Sequence, residues 1–229
     1  MGVGGVIFGP PQSRRRASFV DAVGAWRLLS RAPTAHPPTP SYNSRFVQIR
    51  IETVSQPPDI PPDVLARAAK LRLVAFDVDG TLTDGRLWMA EDGRELKAFH
   101  VHDGLGIKAL REHGVEVAII STRVSRAVEL RADELGIDHV YQGKADKLGC
   151  LKEILAALDV AWDCAAFVGD DVSDLPPMRA CGLAVAVANA RPEVAREAHW
   201  QTRADGGRGA ARDVCDLILA ARAQAQIRA

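Results

Sequence analysis

The hydrophobic positions of this 229-residue chain form short continuous runs, separated by segments with helical spacing. Apolar runs that predict strands lie at residues 71–77, 115–121, 139–142, 164–169 and 183–188. Amphipathic helices are predicted between them, at 104–113, 124–135, 146–158, about 173–180, 192–198 and 211–222. Continuous apolar strands that alternate with helices are typical of a parallel sheet covered on both faces. The pattern therefore predicts an α/β fold with a doubly wound, Rossmann-like sheet.

One segment, residues 86–99, interrupts this alternation. Its sequence, RLWMAEDGRELKAF, holds two short strand-like stretches around Asp92 and Gly93. Asp-Gly is a dipeptide typical of tight hairpin turns. We therefore predict a β-hairpin flap after the first strand.

The N-terminal quarter of the chain differs in composition from the rest. Ten of the thirteen prolines fall within residues 1–62. Proline cannot donate the backbone hydrogen bonds of helices and sheets, so we predict a disordered or weakly ordered extension over 1–62. The folded domain is then expected over 63–229. Arg14 to Arg16 and the serine that follows superficially resemble a transit peptide, but a dispensable extension or a misassigned start codon is favoured.

Charge and composition exclude several classes of function. Lysine and arginine number 29 and the acidic residues also number 29, so no general basic surface for nucleic acid is expected. The sequence contains no run of 18 apolar residues, so no membrane span is predicted. The four cysteines lack zinc-binding spacing, which favours free thiols in a reducing compartment. They are Cys150, Cys164, Cys181 and Cys215.

The most specific chemical signal is the sequence DVDGT, which follows the first apolar run. Asp77 and Asp79 are one residue apart, so in an extended chain both side chains project to the same side. Two like charges about 4 Å apart repel by roughly 4 kcal/mol at an effective dielectric constant of 20. A cation or a reaction is needed to explain such a pair. The motif points to metal-assisted phosphoryl transfer.

Polar residues also follow the other predicted strands, where ligands bind in open α/β sheets. A serine at the second strand end is by itself most often a helix cap, and a single aspartate before a helix has the same simple explanation. A lysine at a helix start is disfavoured by the helix dipole, which invites a functional interpretation. The candidates at these ends are Ser121, Lys144, Lys147, Asp170, Asp171 and Asp174.

These motifs, in this order, resemble the haloacid dehalogenase superfamily of phosphohydrolases over about residues 70–220. The resemblance implies that Asp77 is a nucleophile that forms an aspartyl-phosphate, and that Asp79 is the general acid and base. It further implies that Ser121 and Lys147 hold the phosphoryl oxygens.

A Mg²⁺ cofactor follows from the same resemblance and from the number of carboxylates. Its implied ligands are the side chains of Asp77 and Asp170 and the backbone carbonyl of Asp79. Asp171 and Asp174 are expected to orient the metal-bound waters.

Longer stretches, among them GRELKAFHVHDGLGIKAL and GGRGAARDVCDLIL, resemble the 3-deoxy-D-manno-octulosonate 8-phosphate phosphatase family. This resemblance implies a cytoplasmic enzyme acting on a small sugar-acid phosphate, and a homotetramer built through the hairpins. No cap domain is expected, because a hairpin, one helix and a strand already fill residues 80–120. Ser121-Thr122-Arg123 replaces the family's usual Thr-Gly-Arg. His100 and His102 replace its Asn-x-Arg, so a related nonulosonate 9-phosphate stays an alternative substrate.

Three arginines are candidates for binding the anionic substrate. Arg123 directly follows the second strand end, although an ion pair at a helix start is its simpler explanation. Arg208 and Arg212 lie in or beside a glycine-rich stretch that we predict to be a flexible tail. Deleting residues 204–229 is therefore expected to change KM or product release far more than the fold.

Other interpretations are weaker. His100, His102 and Asp103 could form a second metal site, but Asp103 is better explained as the N-cap of the next helix. A phospho-acceptor receiver domain also gathers acids, a hydroxyl and a lysine on a parallel sheet. The Asp77–Asp79 pair argues against that class, and the presence of every motif residue disfavours an inactive relative.

Overall fold

The computed structural model describes residues 60–228. The Pro-rich extension predicted over 1–62 falls almost wholly outside the described residues, so the domain boundaries stay a prediction. The helices of the described chain are α1 (Pro62–Ala69), α2 (Val101–Glu112), α3 (Arg126–Leu135), α4 (Lys147–Leu158), α5 (Leu175–Ala180), α6 (Pro192–Glu197) and α7 (Ala210–Arg228). The strands are β1 (Leu73–Phe76), β2 (Trp88–Met89), β3 (Glu95–Leu96), β4 (Glu116–Ile120), β5 (His139–Tyr141), β6 (Ala165–Gly169), β7 (Leu183–Ala186) and β8 (Trp200–Gln201).

Six of these strands form one parallel sheet in the order β5-β4-β1-β6-β7-β8. β1 is central, with Val74 opposite Val117 of β4 and Ala166 of β6. Its side chains alternate between two apolar clusters, one on each face of the sheet. Helices α1, α2, α3 and α7 cover one face, and α4, α5 and α6 cover the other. The α/β doubly wound architecture predicted from the sequence is confirmed.

The predicted hairpin is present as the antiparallel pair β2 and β3. Gly93 has a φ of 82°, which explains why glycine follows Asp92 at this turn. Between β1 and β4 the chain contains only this hairpin and α2. A short apolar surface on the hairpin is exposed to solvent: it comprises Leu87, Trp88, Met89 and Leu96. The hairpin's action as a flap stays a prediction.

The C-terminal segment is not the flexible tail predicted from its glycines. Gly207 donates its amide to the carbonyl of Thr81, and Gly206 donates to the side chain of Asn189. The 19-residue α7 follows and packs against α1 and α2. Its buried face includes Val214 and Ile218. Deleting residues 204–229 would remove these buried side chains from the core on one face of the sheet, which argues against the expectation of an intact fold.

The start of α2 also differs from the sequence prediction. His100, not Asp103, is the N-cap, and its side chain accepts the amide of His102. Asp103 lies in the first turn, where its buried carboxylate accepts the backbone N–H of Arg212 at 2.8 Å. Asp103 therefore caps α7 from a neighbouring helix, because the first amides of α7 have no partner within their own helix. Within residues 60–228 no helix is long and apolar enough to cross a membrane.

The packing of α7 gives a stability prediction. Replacing the fully buried Ile218 by alanine should lower the free energy of unfolding by about 3 kcal/mol, through lost burial and a cavity. Urea unfolding followed by circular dichroism measures this change. Ile227→Ala, at a side chain that is 85% exposed on the same helix, should change it by less than about 0.5 kcal/mol. Equal effects of the two variants would contradict the packing described here.

Candidate active site

The candidate site begins at the turn that follows β1. Asp77 is buried and donates its amide to Val168 of β6. The carbonyl of Val78 accepts the amides of Thr81, Leu82 and Thr83, which bends the chain sharply out of the sheet. Gly80 has a φ of 98°, a region that favours glycine. A Cβ at this position would also overlap the carboxylate of Asp170 and would displace it from the cluster.

Three carboxylates meet at the carboxyl ends of β1 and β6. Oxygen atoms of Asp77, Asp170 and Asp174 all lie within 4.8 Å of one another. Among the described residues, this is the one group of three or more acidic, histidine or cysteine side chains close enough to share a cation. The structure thus brings together the first and last acidic motifs, which are about 90 residues apart in sequence.

Lys147 ties two of these carboxylates together. It is the first residue of α4 and its side chain is buried, with Nζ 2.7 Å from Asp77 Oδ1 and 2.6 Å from Asp174 Oδ1. Asp146 caps the helix by accepting the amide of Gly149, which fixes the direction from which Lys147 enters. Lys144, the other lysine of this loop, is exposed. Burial and contacts therefore favour Lys147 as the functional lysine.

The pKa values of the cluster reflect crowding in a buried place. Burial and the nearby charge of Asp174 raise the pKa of Asp77 to about 6, although Lys147 opposes the shift. Burial, followed by repulsion from Asp77 and Asp174, raises the pKa of Asp170 to about 7. Burial alone would lower the pKa of Lys147, but the two aspartates outweigh it and raise that pKa above its ordinary value. The ammonium of Lys147 therefore stays charged, but it does not bring the pKa values of Asp77 and Asp170 down to their ordinary range.

Asp174 and Asp171 take different places. Asp174 is fully buried, and besides Lys147 it accepts the amides of Asp170 at 3.0 Å and Asp171 at 3.2 Å. It holds the loop after β6 in shape. Asp171 is exposed, and its carboxylate accepts the amide of Val172 at the start of a short 3-10 turn. The structure does not bring Asp171 into the carboxylate cluster.

The residues after β4 lie on the other side of β1 from β6 and form that side of the candidate site. Ser121 is buried and its Oγ accepts the amide of Arg123 at 3.2 Å. The exposed Arg123 forms an ion pair with Glu95 of the hairpin, and its Nε lies 3.7 Å from Asp79 Oδ2. The pairing with Glu95 raises the pKa of Arg123, so this guanidinium is always charged. Ser121 and Arg123 therefore occupy the neighbouring strand end, as the sequence predicted.

The sequence pattern did not identify two charged residues that lie at the site, Glu95 and Lys97. Lys97 forms an ion pair with Asp79, and Glu95 forms one with Lys97 and another with Arg123. Both belong to the hairpin, where single charges usually face solvent. The one available signal was their spacing of two residues, which places both side chains on the same side of a strand.

The remaining arginines have other surroundings. Arg208 is exposed in the loop before α7. Arg212 lies in the first turn of α7 and pairs with Asp216 at 2.7 Å, so it is anchored on the helix. Their predicted substrate roles stay predictions, and hydrogen bonds from Gly206 and Gly207 anchor the start of this stretch.

The residues present fit a hard divalent cation. Asp77 and Asp170 supply oxygen ligands at the centre of the cluster, and Mg²⁺ prefers carboxylates and retained water. Asp174 is already bonded to an ammonium and two amides, which suits a supporting role. The raised pKa values of Asp77 and Asp170 indicate two carboxylates that a cation would stabilise in their charged form.

Comparisons with known proteins agree with this site. A family model described as haloacid dehalogenase-like hydrolase matches residues 105–182. The 3-deoxy-D-manno-octulosonate 8-phosphate phosphatase of Yersinia pestis is 49% identical over 71% of this chain and 87% of its own length. The protein of the same name from Escherichia coli K12 is 48% identical over 71% of this chain and 86% of its own length.

Solved structures give the same result. The crystal structure of the Yersinia pestis phosphatase superposes with a TM-score of 0.71 at 48% identity, covering 73% of this chain and 90% of that one. A Moraxella catarrhalis phosphatase of the same name, in complex with magnesium, phosphate and KDO, superposes with a TM-score of 0.69 at 40% identity. It covers 72% of this chain and 97% of that one. This chain therefore belongs to the 3-deoxy-D-manno-octulosonate 8-phosphate phosphatase family of haloacid dehalogenase-like hydrolases.

Proposed function

We propose that the protein is a Mg²⁺-dependent phosphatase that hydrolyses 3-deoxy-D-manno-octulosonate 8-phosphate to the free sugar acid and phosphate. The observation that carries the proposal is the buried Asp77, bonded to Lys147 and crowded by Asp170 at the carboxyl edge of the sheet. The choice of substrate rests on relatives that are 40–49% identical, through their names and, for one of them, its bound ligands. We also propose, from those relatives' family, that the enzyme works in the cytoplasm.

In the first step a carboxylate oxygen of Asp77 attacks the phosphorus atom. The bond between phosphorus and the C8 oxygen of the sugar breaks, and Asp79 gives its proton to that oxygen, so the sugar leaves as an alcohol. The product on the protein is an aspartyl-phosphate at Asp77. Ser121 and Lys147 face the negative charge of the phosphoryl group, because a hydroxyl and an ammonium stabilise its oxygens.

In the second step Asp79, now a carboxylate, takes a proton from a water molecule. The resulting hydroxide attacks the phosphorus, the bond to the Asp77 oxygen breaks, and inorganic phosphate leaves. Asp77 and Asp79 thereby return to their starting forms. When bound by Asp77, Asp170 and the backbone carbonyl of Asp79, Mg²⁺ supplies the positive charge that lets these carboxylates and a phosphate dianion lie together.

Arg123 is our candidate for the carboxylate of the sugar acid. It is exposed beside Asp79, always charged, and a guanidinium pairs well with a carboxylate. A receiver domain is a poorer fit, because Asp79 follows the nucleophile by two residues, a position at which a receiver has no acid and base.

The direct test is phosphate release from a panel of 2-keto-3-deoxy sugar phosphates that includes a nonulosonate 9-phosphate. The octulosonate 8-phosphate should give the highest kcat/KM with Mg²⁺, and EDTA should reduce release to background. Asp77→Asn should also be inactive, whereas Asp92→Asn, at the exposed hairpin turn, should match the unmodified enzyme. Turnover by Asp77→Asn would refute the nucleophile. A preference for the nonulosonate would transfer the proposal to that sugar.

Lys147 should be needed for both catalysis and stability. Lys147→Met removes the ammonium between Asp77 and Asp174, so kcat should fall at least about 100-fold. The free energy of unfolding should fall by about 3 kcal/mol, because two buried carboxylates lose their cation. Lys152→Met, at an exposed position of the same helix, is the matched control. A kcat for Lys147→Met within a few-fold of the control would exclude the role.

We propose a homotetramer that forms through the hairpins. The hairpin's exposed apolar side chains support this assembly, since exposed apolar groups mark interaction sites, and Trp88 lies opposite Leu96 in the β2–β3 pair.

Sedimentation can test the assembly. The enzyme should sediment as four times its 24.7 kDa chain mass, and Trp88→Lys should shift it to smaller species. Arg94→Ala, at the exposed turn of the hairpin, should leave the mass unchanged. A monomer for the unmodified enzyme would refute the tetramer.

A further inference from the structure

The hairpin carries an ion network, with a buried lysine and an exposed arginine, that reaches the acid and base of the proposed reaction. Lys97 Nζ pairs with Asp79 Oδ1 and lies 2.8 Å from Glu95 Oε1. Glu95 in turn pairs with Arg123, whose Nε lies 3.7 Å from Asp79 Oδ2. Two cationic side chains and two carboxyl groups thus form a closed ring between the hairpin and the ends of β1 and β4.

The burial of Lys97 is unusual for its position. Its side chain is 1% exposed, whereas Arg94 on the same hairpin is 78% exposed and Leu96 also faces solvent. Lysine normally keeps its ammonium in water, and burying an unpaired ammonium costs several kcal/mol. A hairpin with so many exposed residues has no packing need for such a group. The contacts of Lys97 indicate that it is held there by Asp79 and Glu95.

The two carboxylate oxygens of Asp79 have different contacts. Oδ1 is bound to the ammonium of Lys97. Oδ2 is buried and has no hydrogen-bond partner among the described residues. Arg123 Nε faces this oxygen at 3.7 Å, which is beyond hydrogen-bond distance, and a buried carboxylate oxygen without a hydrogen bond is uncommon. A carboxyl group fixed through one oxygen keeps the other free to carry and transfer a proton.

We propose that Lys97 is a positioning residue for proton transfer by Asp79, and that Glu95 holds Lys97 in place. Lys97 binds Oδ1 and fixes the plane of the carboxyl group. Oδ2 then gives its proton to the oxygen of the departing sugar as the bond from phosphorus to that oxygen breaks. This inference rests on the proposed function, because it assigns Asp79 the role of general acid.

The test compares two substrates that differ in their need for a proton. The sugar phosphate releases an alkoxide, which must be protonated as it leaves, whereas 4-nitrophenyl phosphate releases a phenolate that leaves without a proton. The parameter is kcat/KM, which covers only the steps up to formation of the aspartyl-phosphate. Lys97→Met should lower kcat/KM about 100-fold for the sugar phosphate and less than about 10-fold for 4-nitrophenyl phosphate.

Two further variants provide matched comparisons. Lys97→Arg keeps a cation that can bind Oδ1, so it should restore kcat/KM for the sugar phosphate by about 10-fold over Lys97→Met. Arg94→Met removes an exposed cation from the same hairpin and should match the unmodified enzyme with both substrates. Urea unfolding of each variant shows whether the hairpin substitutions disturb the fold. If Lys97→Met does not fold, Glu95→Gln, which loosens the hold on Lys97, should show the same substrate selectivity with a smaller loss.

Each outcome is decisive. Equal losses on the two substrates would show a general structural effect and would overturn the inference, as would a change confined to KM. Failure of the proposed function has a different signature, because the unmodified enzyme would then release no phosphate from the sugar phosphate, or Asp77→Asn would remain active.

Discussion

Three carboxylates at the carboxyl ends of β1 and β6 repel one another in a place with little water, and the structure around them limits that repulsion. The ammonium of Lys147 neutralises one of the three charges and orients Asp77 and Asp174. Two negative charges remain uncompensated, which matches the charge of one divalent cation. A phosphate dianion can approach such a site only when the cation is bound. The chemistry therefore depends on an arrangement of charges that is unfavourable without its ligands.

The backbone around the cluster is shaped by close approaches that only glycine permits. Gly80 lies against the carboxylate of Asp170, and a Cβ on Gly206 would overlap the carbonyl oxygen of Gly80. The loop before α7 thus packs against the turn that follows the nucleophile. In that turn the hydroxyl of Thr81 donates a hydrogen bond to Asp170. These contacts connect the acidic cluster, the turn after β1 and the C-terminal helix into one packed unit. Positioning of the site and stability of the fold share the same residues.

The sequence predicted the sheet well because a buried parallel strand is a continuous apolar run, and β4 lies within the predicted run at 115–121. The sequence also predicted that Asp77 and Asp170 meet at one edge of the sheet, because the carboxyl ends of parallel strands gather there. Lys147 was singled out by its unusual place at the start of a helix. Helix α1 was missed because Pro61 and Pro62 suggested loop, although proline is well tolerated in the first turn of a helix. Lys97, Glu95 and the cap by Asp103 arise from contacts between distant segments, and no local pattern encodes those. The helix predicted at 211–222 is confirmed as α7, but the stretch before it was misjudged, because glycines that permit close packing resemble glycines that permit motion.

The central position of β1 sets the order in which the domain can be completed during synthesis. β1 leaves the ribosome early, yet one neighbour, β6, comes about 90 residues later, and the helix that covers its face forms last. Until α7 emerges, the nascent chain exposes apolar surface that the finished enzyme buries. A chain that stops short of α7 should therefore be a substrate for chaperones and proteases, although all of its proposed catalytic residues have already been translated.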